Sequence, residues 1–274
     1  MRLLVKQAAA EAFQSVPWSL SRAAYTNVSF SVAAPIGSPE DIAFKSDGTK
    51  MYVVGSAEDK VFQYSLSTAW NLSTASYDSV SFSVEEEITP KGISFKSDGT
   101  KMYVVGSAND KVYQYSLSTA WDLSTASYDS VSFSVATEET TPQALAFKSD
   151  GTKMYVVGVV QGKVFQYSLS TAWDLSTASY DSVSFSLAAQ AEPTPPGLSF
   201  KSDGTKMYVV GSAEDKVFQY SLSTAWNLST ASYDSVSFSV AGQDSAPTGL
   251  AFKSNGTRMY VVGNGSDTIY QYSL

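Results

Sequence analysis

The carboxylates are the first residues in this sequence to test for chemistry. Glu85, Glu86 and Glu87 stand in a row, Glu138 and Glu139 form a second acidic pair, and Glu192 stands in a third acidic stretch. Two carboxyl groups at a fixed separation can cleave a glycosidic bond, and a cluster of them can hold Ca²⁺ or meet a cationic partner. Five tryptophans, Trp18, Trp70, Trp121, Trp173 and Trp226, recur at near-regular intervals. Aromatic rings so spaced could stack on sugars, and equally could lock a repeated core. The chain has no His and no Cys. Zinc sites with those ligands, thiolate chemistry and every imidazole base are therefore excluded. Net charge is −8 over 274 residues. That balance lacks the clustered Lys and Arg a nucleic-acid interface needs. No cofactor is expected.

The elements that hold these residues are copies of one unit. Residues 44–84 and 200–240 are identical, and 95–135 differ from them only at Asn109, Tyr113 and Asp122. An anchor Phe recurs at Phe44, Phe95, Phe147, Phe200 and Phe252, in steps of 51, 52, 53 and 52. Repeats of this length point to propellers or solenoids. Within a unit, 93–95 (ISF) reads as a short strand and 97–100 (SDGT) as a turn. KMYVV at 101–105 is apolar on both faces, as a buried central strand is. VYQYSL at 112–117 is a third strand. After a connection, STAWDLSTASYD, VSFSV at 131–135 alternates as a fourth.

The ends close the ring. The chain finishes at Tyr272-Ser273-Leu274, the end of a third strand, and 18–32 matches 70–84 at ten of fifteen positions. The N-terminal segment thus supplies the fourth strand missing at the C-terminus, which leaves no open edge. The expected fold is all-β, a five-bladed β-propeller of four-stranded antiparallel blades over residues 18–274, with residues 1–17 as an extension.

FKSDGTKMYVVGSAEDKVFQYSL resembles the S-P-D-G-x-x-x-Y-V family of propeller repeats, relatives of the WD40 class. The resemblance covers everything after residue 17 and speaks to fold far more than to function. The W-D-L-S-T-A-S-Y-D connection is similar to a narrower group of blades, found in virion proteins of tailed phages and in aquatic bacteria. That likeness implies a non-enzymatic particle protein of a tail, fibre or capsid decoration. Its partners would be other virion subunits and a host surface glycan or protein.

Differences between copies are segregated. Length varies only in the joints from strand four to the next strand one: 33–38, 85–89, 136–141, 188–194 and 241–246, each followed by a Pro. The turn between strands two and three also varies, reading SAED, SAND, VVQG, SAED and NGSD. Alternate connections of antiparallel strands share one end of a blade, so both variable places lie on one face of the disc. Loops on a rigid scaffold are where binding normally sits. The candidate contacts are Pro35, Ile36, Glu85, Glu86, Glu87, Ile88, Thr137, Glu138, Glu139, Val159, Val160, Gln161, Gln190, Glu192, Gln243, Asp244 and Asn264. The five Trp are the sites of an alternative reading, a glycan-binding bacterial propeller. A third is an engineered scaffold without a ligand, against which the unequal joints count.

Catalysis is not expected. Strand one begins with Asp41, Gly92, Ala144, Gly197 and Gly249, and a lone Asp41 cannot be both acid and nucleophile. The Asp-Gly turns lie too far apart around the rim to share one metal ion. Leu4, Ala8, Ala12 and Val16, with Phe13 beside them, form one helical stripe suited to anchoring on a partner subunit. No apolar run reaches the ~20 residues of a membrane span. The run LLV at 3–5 falls short of the ~7–15 residues of a signal-peptide core. The expected setting is a virion, with the extracellular space or a cell surface as the alternative.

Overall fold

A computed structural model describes residues 16–190 and 194–274. Of the anchor stripe, Leu4, Ala8, Ala12 and Phe13 lie outside the described residues, as does Glu192; Val16 is exposed.

The strands form five four-stranded antiparallel sheets. The second blade is typical, with strands Pro90–Phe95, Lys101–Gly106, Lys111–Leu117 and Ala126–Ser134 in that order outward. First strands begin at Pro39, Pro90, Pro142 and Pro247, but at Gly197 in the fourth blade. A Pro fits there because a first residue on an inner edge owes no N–H to the ladder. The N-terminal strand Ala24–Ser31 pairs with Thr268–Ser273 and completes the fifth blade, as its sequence match requires.

One boundary differs from the sequence reading. Strand four starts at Ala126 rather than Val131 and runs through ASYD. Asp129 and Ser130 are looped out between the pairs Tyr115↔Tyr128 and Gln114↔Val131, with Ser130 at φ 57°. The loop turns the Asp129 carboxylate back across the sheet, where it accepts from Lys101 Nζ at 2.9 Å and Gln114 Nε2 at 2.8 Å. A polar bulge in an outer strand reads as a turn in sequence and also blunts an edge that would otherwise pair with other chains.

Blades are joined by a repeated seam. Tyr52 Oη donates to the Trp121 carbonyl at 2.7 Å, and Gln63 Oε1 accepts from Leu123 N–H at 3.0 Å. The closing blade has the same seam: Tyr208 donates to the Trp18 carbonyl, and Gln219 accepts from Leu20 N–H. Its bulge carries Thr26 in place of the Asp, so no acid faces Arg258, whose guanidinium reaches the Trp70 carbonyl instead.

Candidate functional site

The joints and the variable turns do share one face, but much of the acid there is turned inward. Glu87 is fully buried. Its carboxylate accepts from the N–H groups of Thr89 at 3.1 Å, Ala108 at 3.0 Å and Asn109 at 3.3 Å. It therefore staples the joint to the turn between strands two and three. Glu139 repeats this with Thr141, Val160 and Gln161, and Asp244 binds Ala246 N–H and Ser266 Oγ. Each sits against a Gly: a Cβ at Gly106 would lie 2.2 Å from Glu87 Cγ. Burial pushes the Glu87 carboxyl up; its three N–H donors pull against that, and Asp110 adds to the rise. In the first blade Ile36 fills the same place, fully buried. Ile36, Glu87, Glu139 and Asp244 are thus fold contacts rather than exposed binding residues, because the joint needs an internal partner for the turn's backbone.

A second set is half-committed. Tyr115 donates to Glu86 at 3.1 Å, Tyr167 to Glu138 at 3.5 Å, Tyr220 to Gln190 at 3.2 Å and Tyr272 to Gln243 at 3.4 Å. Pro35 stands at the matching position before the first blade and offers no side-chain acceptor, and the buried Tyr64 hydroxyl has no partner among the described residues. Val159 is half-buried. Six candidates are exposed: Glu85, Ile88, Thr137, Val160, Gln161 and Asn264. Among the described residues no three carboxylates gather in a way that could hold a metal ion.

The tryptophans are core. Their exposures run from 7% to 9%. Trp70 lies on the turn at Gly48, where a Cβ would come 2.3 Å from the ring. Phe44 and Tyr260 pack on it with centroids 5.2 and 6.3 Å away. Gly48 stands at φ 75°, so the residue that makes the turn also clears space for the indole. Covered this way, the rings leave no open face for a sugar to stack on.

The opposite end of the axis holds a feature that no sequence motif marks. The first strands converge there around a funnel of about 330 Å³ that opens at the constant SDGT turns. Five half-buried phenylalanines, Phe44, Phe95, Phe147, Phe200 and Phe252, ring it, with Ser46 and its four equivalents at the lip. In sequence these five residues mark only the repeat period, and closure of the ring brings them to one cavity. The funnel ends where the strands crowd most closely. A Cβ at Gly92 would lie 2.7 Å from the Ala144 backbone, and one at Gly249 2.4 Å from Asp41 Oδ1. Asp41 is the single larger side chain in that ring, 5% exposed. It accepts from its neighbour Ile42 N–H at 2.8 Å and from Ile93 N–H of the next blade at 3.1 Å. Burial pushes its carboxyl up to about 8, the two N–H groups oppose this, and nearby Glu40 reinforces it. Beyond Asp41, towards the variable face, Glu40 pairs with Lys91 at 2.6 Å.

Fold and site together define a closed five-bladed β-propeller with a central apolar funnel. Comparisons agree on the fold. A protein from Lactobacillus plantarum is 14% identical, with 86% of this chain and 67% of that one covered and a TM-score of 0.51. A proposed 6-phosphogluconolactonase from Bacteroides uniformis is 14% identical, covering 85% and 65%, with a TM-score of 0.53. A second so described, from Bacteroides fragilis, is 12% identical, covering 83% and 64%, at 0.52. The chain spans about two thirds of the length of these structures. At such identities the likeness is one of fold alone. No protein-family model matches the chain, and no curated protein matches it.

Proposed function

We propose that the protein is a non-catalytic binding propeller of a tailed-phage particle, meeting a host surface or a neighbouring subunit through its variable loop face. One observation carries this. Glu85, Ile88, Thr137, Val160, Gln161 and Asn264 are exposed, differ from blade to blade, and make no side-chain hydrogen bond to another of the described residues. The other end of each blade is equally made of exposed loops, yet it is nearly unchanged between copies. Drift after duplication would alter both ends. The particle setting rests on the likeness of the W-D-L-S-T-A-S-Y-D blades to virion repeats, with residues 1–17 as the attachment. The reading assigns no catalytic group, since Asp41 has no second free carboxylate beside it: Glu40 is held by Lys91.

The test is a density map of the native particle, with co-sedimentation of the protein. Density against the loop face is expected, and deleting residues 1–17 should release the protein from particles. A protein that never sediments with particles, or a partner seated only on the SDGT face, would refute the reading.

A further inference from the structure

The geometry points to the funnel as a binding site for a small organic ammonium ion: its charged head meets Asp41 at the base and its apolar body lies within the phenylalanine ring.

Three independent features support this. The funnel's volume, about 330 Å³, suits a small ligand. Its wall is largely aromatic, built from Phe44, Phe95, Phe147, Phe200 and Phe252 with Trp70, Trp121 and Trp226, under a rim of serines. Half-buried, these phenylalanines present apolar surface to a ligand's body. The base carries one acid, and it breaks the fivefold repeat. Where the other blades have Gly92, Ala144, Gly197 and Gly249, the first has Asp41.

Packing does not call for that Asp, since Gly serves in three of the five places. Among the described residues no cation forms an ion pair with it. Its charged neighbour is Glu40 on its own strand, and Glu40 is paired with Lys91 on the adjoining first strand. Asp41 is held by two backbone N–H groups, one on each oxygen, which leaves acceptor capacity on both. A buried acid without a counter-ion is costly, and an ammonium entering from the funnel supplies one. Phe44 lies three steps along the strand from Asp41, roughly 10 Å in extended backbone. The ligand class is therefore a primary amine whose apolar tail extends by about that length.

The acid must ionise to pair with a cation. With the carboxyl held near 8, affinity for an ammonium rises with pH towards that point. Below it, affinity falls by up to about tenfold per pH unit.

The experiment is calorimetric titration of the whole protein at pH 6 and pH 9 with n-hexylammonium, n-hexanol and hexanoate, with Trp emission as a second readout. Hexylammonium should bind at pH 9 at least about tenfold more tightly than hexanol, the least expected of a charge-assisted bond. That advantage should shrink at pH 6, and hexanoate should bind weakest. Asp41→Gly installs a residue the fold already uses at this level, and should abolish the advantage while leaving hexanol binding in place. Absence of hexylammonium binding, equal binding of hexanol at pH 9, tighter binding of hexanoate, or an unchanged advantage in Asp41→Gly would each overturn the proposal.

Discussion

Truncation of Glu87 to Ala tests how far the acidic joint belongs to the fold. The carboxylate is fully buried and accepts three backbone N–H groups, from Thr89, Ala108 and Asn109. Each bond lost at a half-buried donor costs about 1 kcal/mol, which sums to about 3 kcal/mol. Removing a carboxyl whose burial is itself unfavourable returns part of that, and water can reach the outer donors. The net expectation is about 2 kcal/mol, or about 4–6 °C in Tm for a domain of this size. Glu87→Gln keeps one acceptor oxygen and should cost about half as much. Glu85→Ala, two residues away and exposed, should cost less than about 0.5 kcal/mol. Urea denaturation gives the three values, and hydrogen exchange gives the location: the Thr89, Ala108 and Asn109 amides should lose protection first. If Glu87→Ala matched Glu85→Ala in stability and in exchange at those amides, the staple would be refuted. The joint would then be a free loop, and its acid would return to the list of binding residues.

Other outcomes follow from the same contacts. Tyr115→Phe removes the bond to Glu86 and should cost about 1 kcal/mol, whereas Tyr64→Phe removes a hydroxyl without a partner and should be neutral or slightly stabilising; equal losses by denaturation would contradict this. Gly99→Ala places a Cβ at φ 75° and 2.2 Å from the Trp121 ring, so it should cost about 2–4 kcal/mol and alter Trp emission. Asp41 binds its proton more tightly folded than unfolded, between its ordinary 3.8 and about 8. Its contribution is therefore complete at low pH and lost as pH rises through that window, by at most about 1.4 kcal/mol per pH unit. Asp41→Gly should flatten the fall in stability between pH 4 and pH 8, and an unchanged slope would mean that Asp41 does not titrate there.

Much of the architecture was legible because the repeat is nearly verbatim. Five Phe anchors gave the blade number, and the resemblance of 18–32 to 70–84 gave the closing strand. The central strand KMYVV was recognisable since burial on both faces leaves no polar position. The start of strand four was not, because Ala126, Ser127 and Asp129 have the composition of a turn, and a bulge hides the period. The candidate site was legible only as a face. Glu85 and Glu87 are two residues apart and chemically identical, yet one is exposed and the other fully buried.

Local pattern and repetition by themselves determined the all-β class, the blade count, the closure and the face that varies. Each depends on periodicity and on matching segments, which a linear text preserves. Tertiary structure alone decided three things: which acids serve the backbone, that the tryptophans are covered, and that the axis ends in a phenylalanine funnel over Asp41. The acids bond amides of their own blade's turn, 21 residues on from Glu87 to Ala108, whereas the covered tryptophans and the funnel depend on residues of different blades meeting once the five first strands converge on one axis.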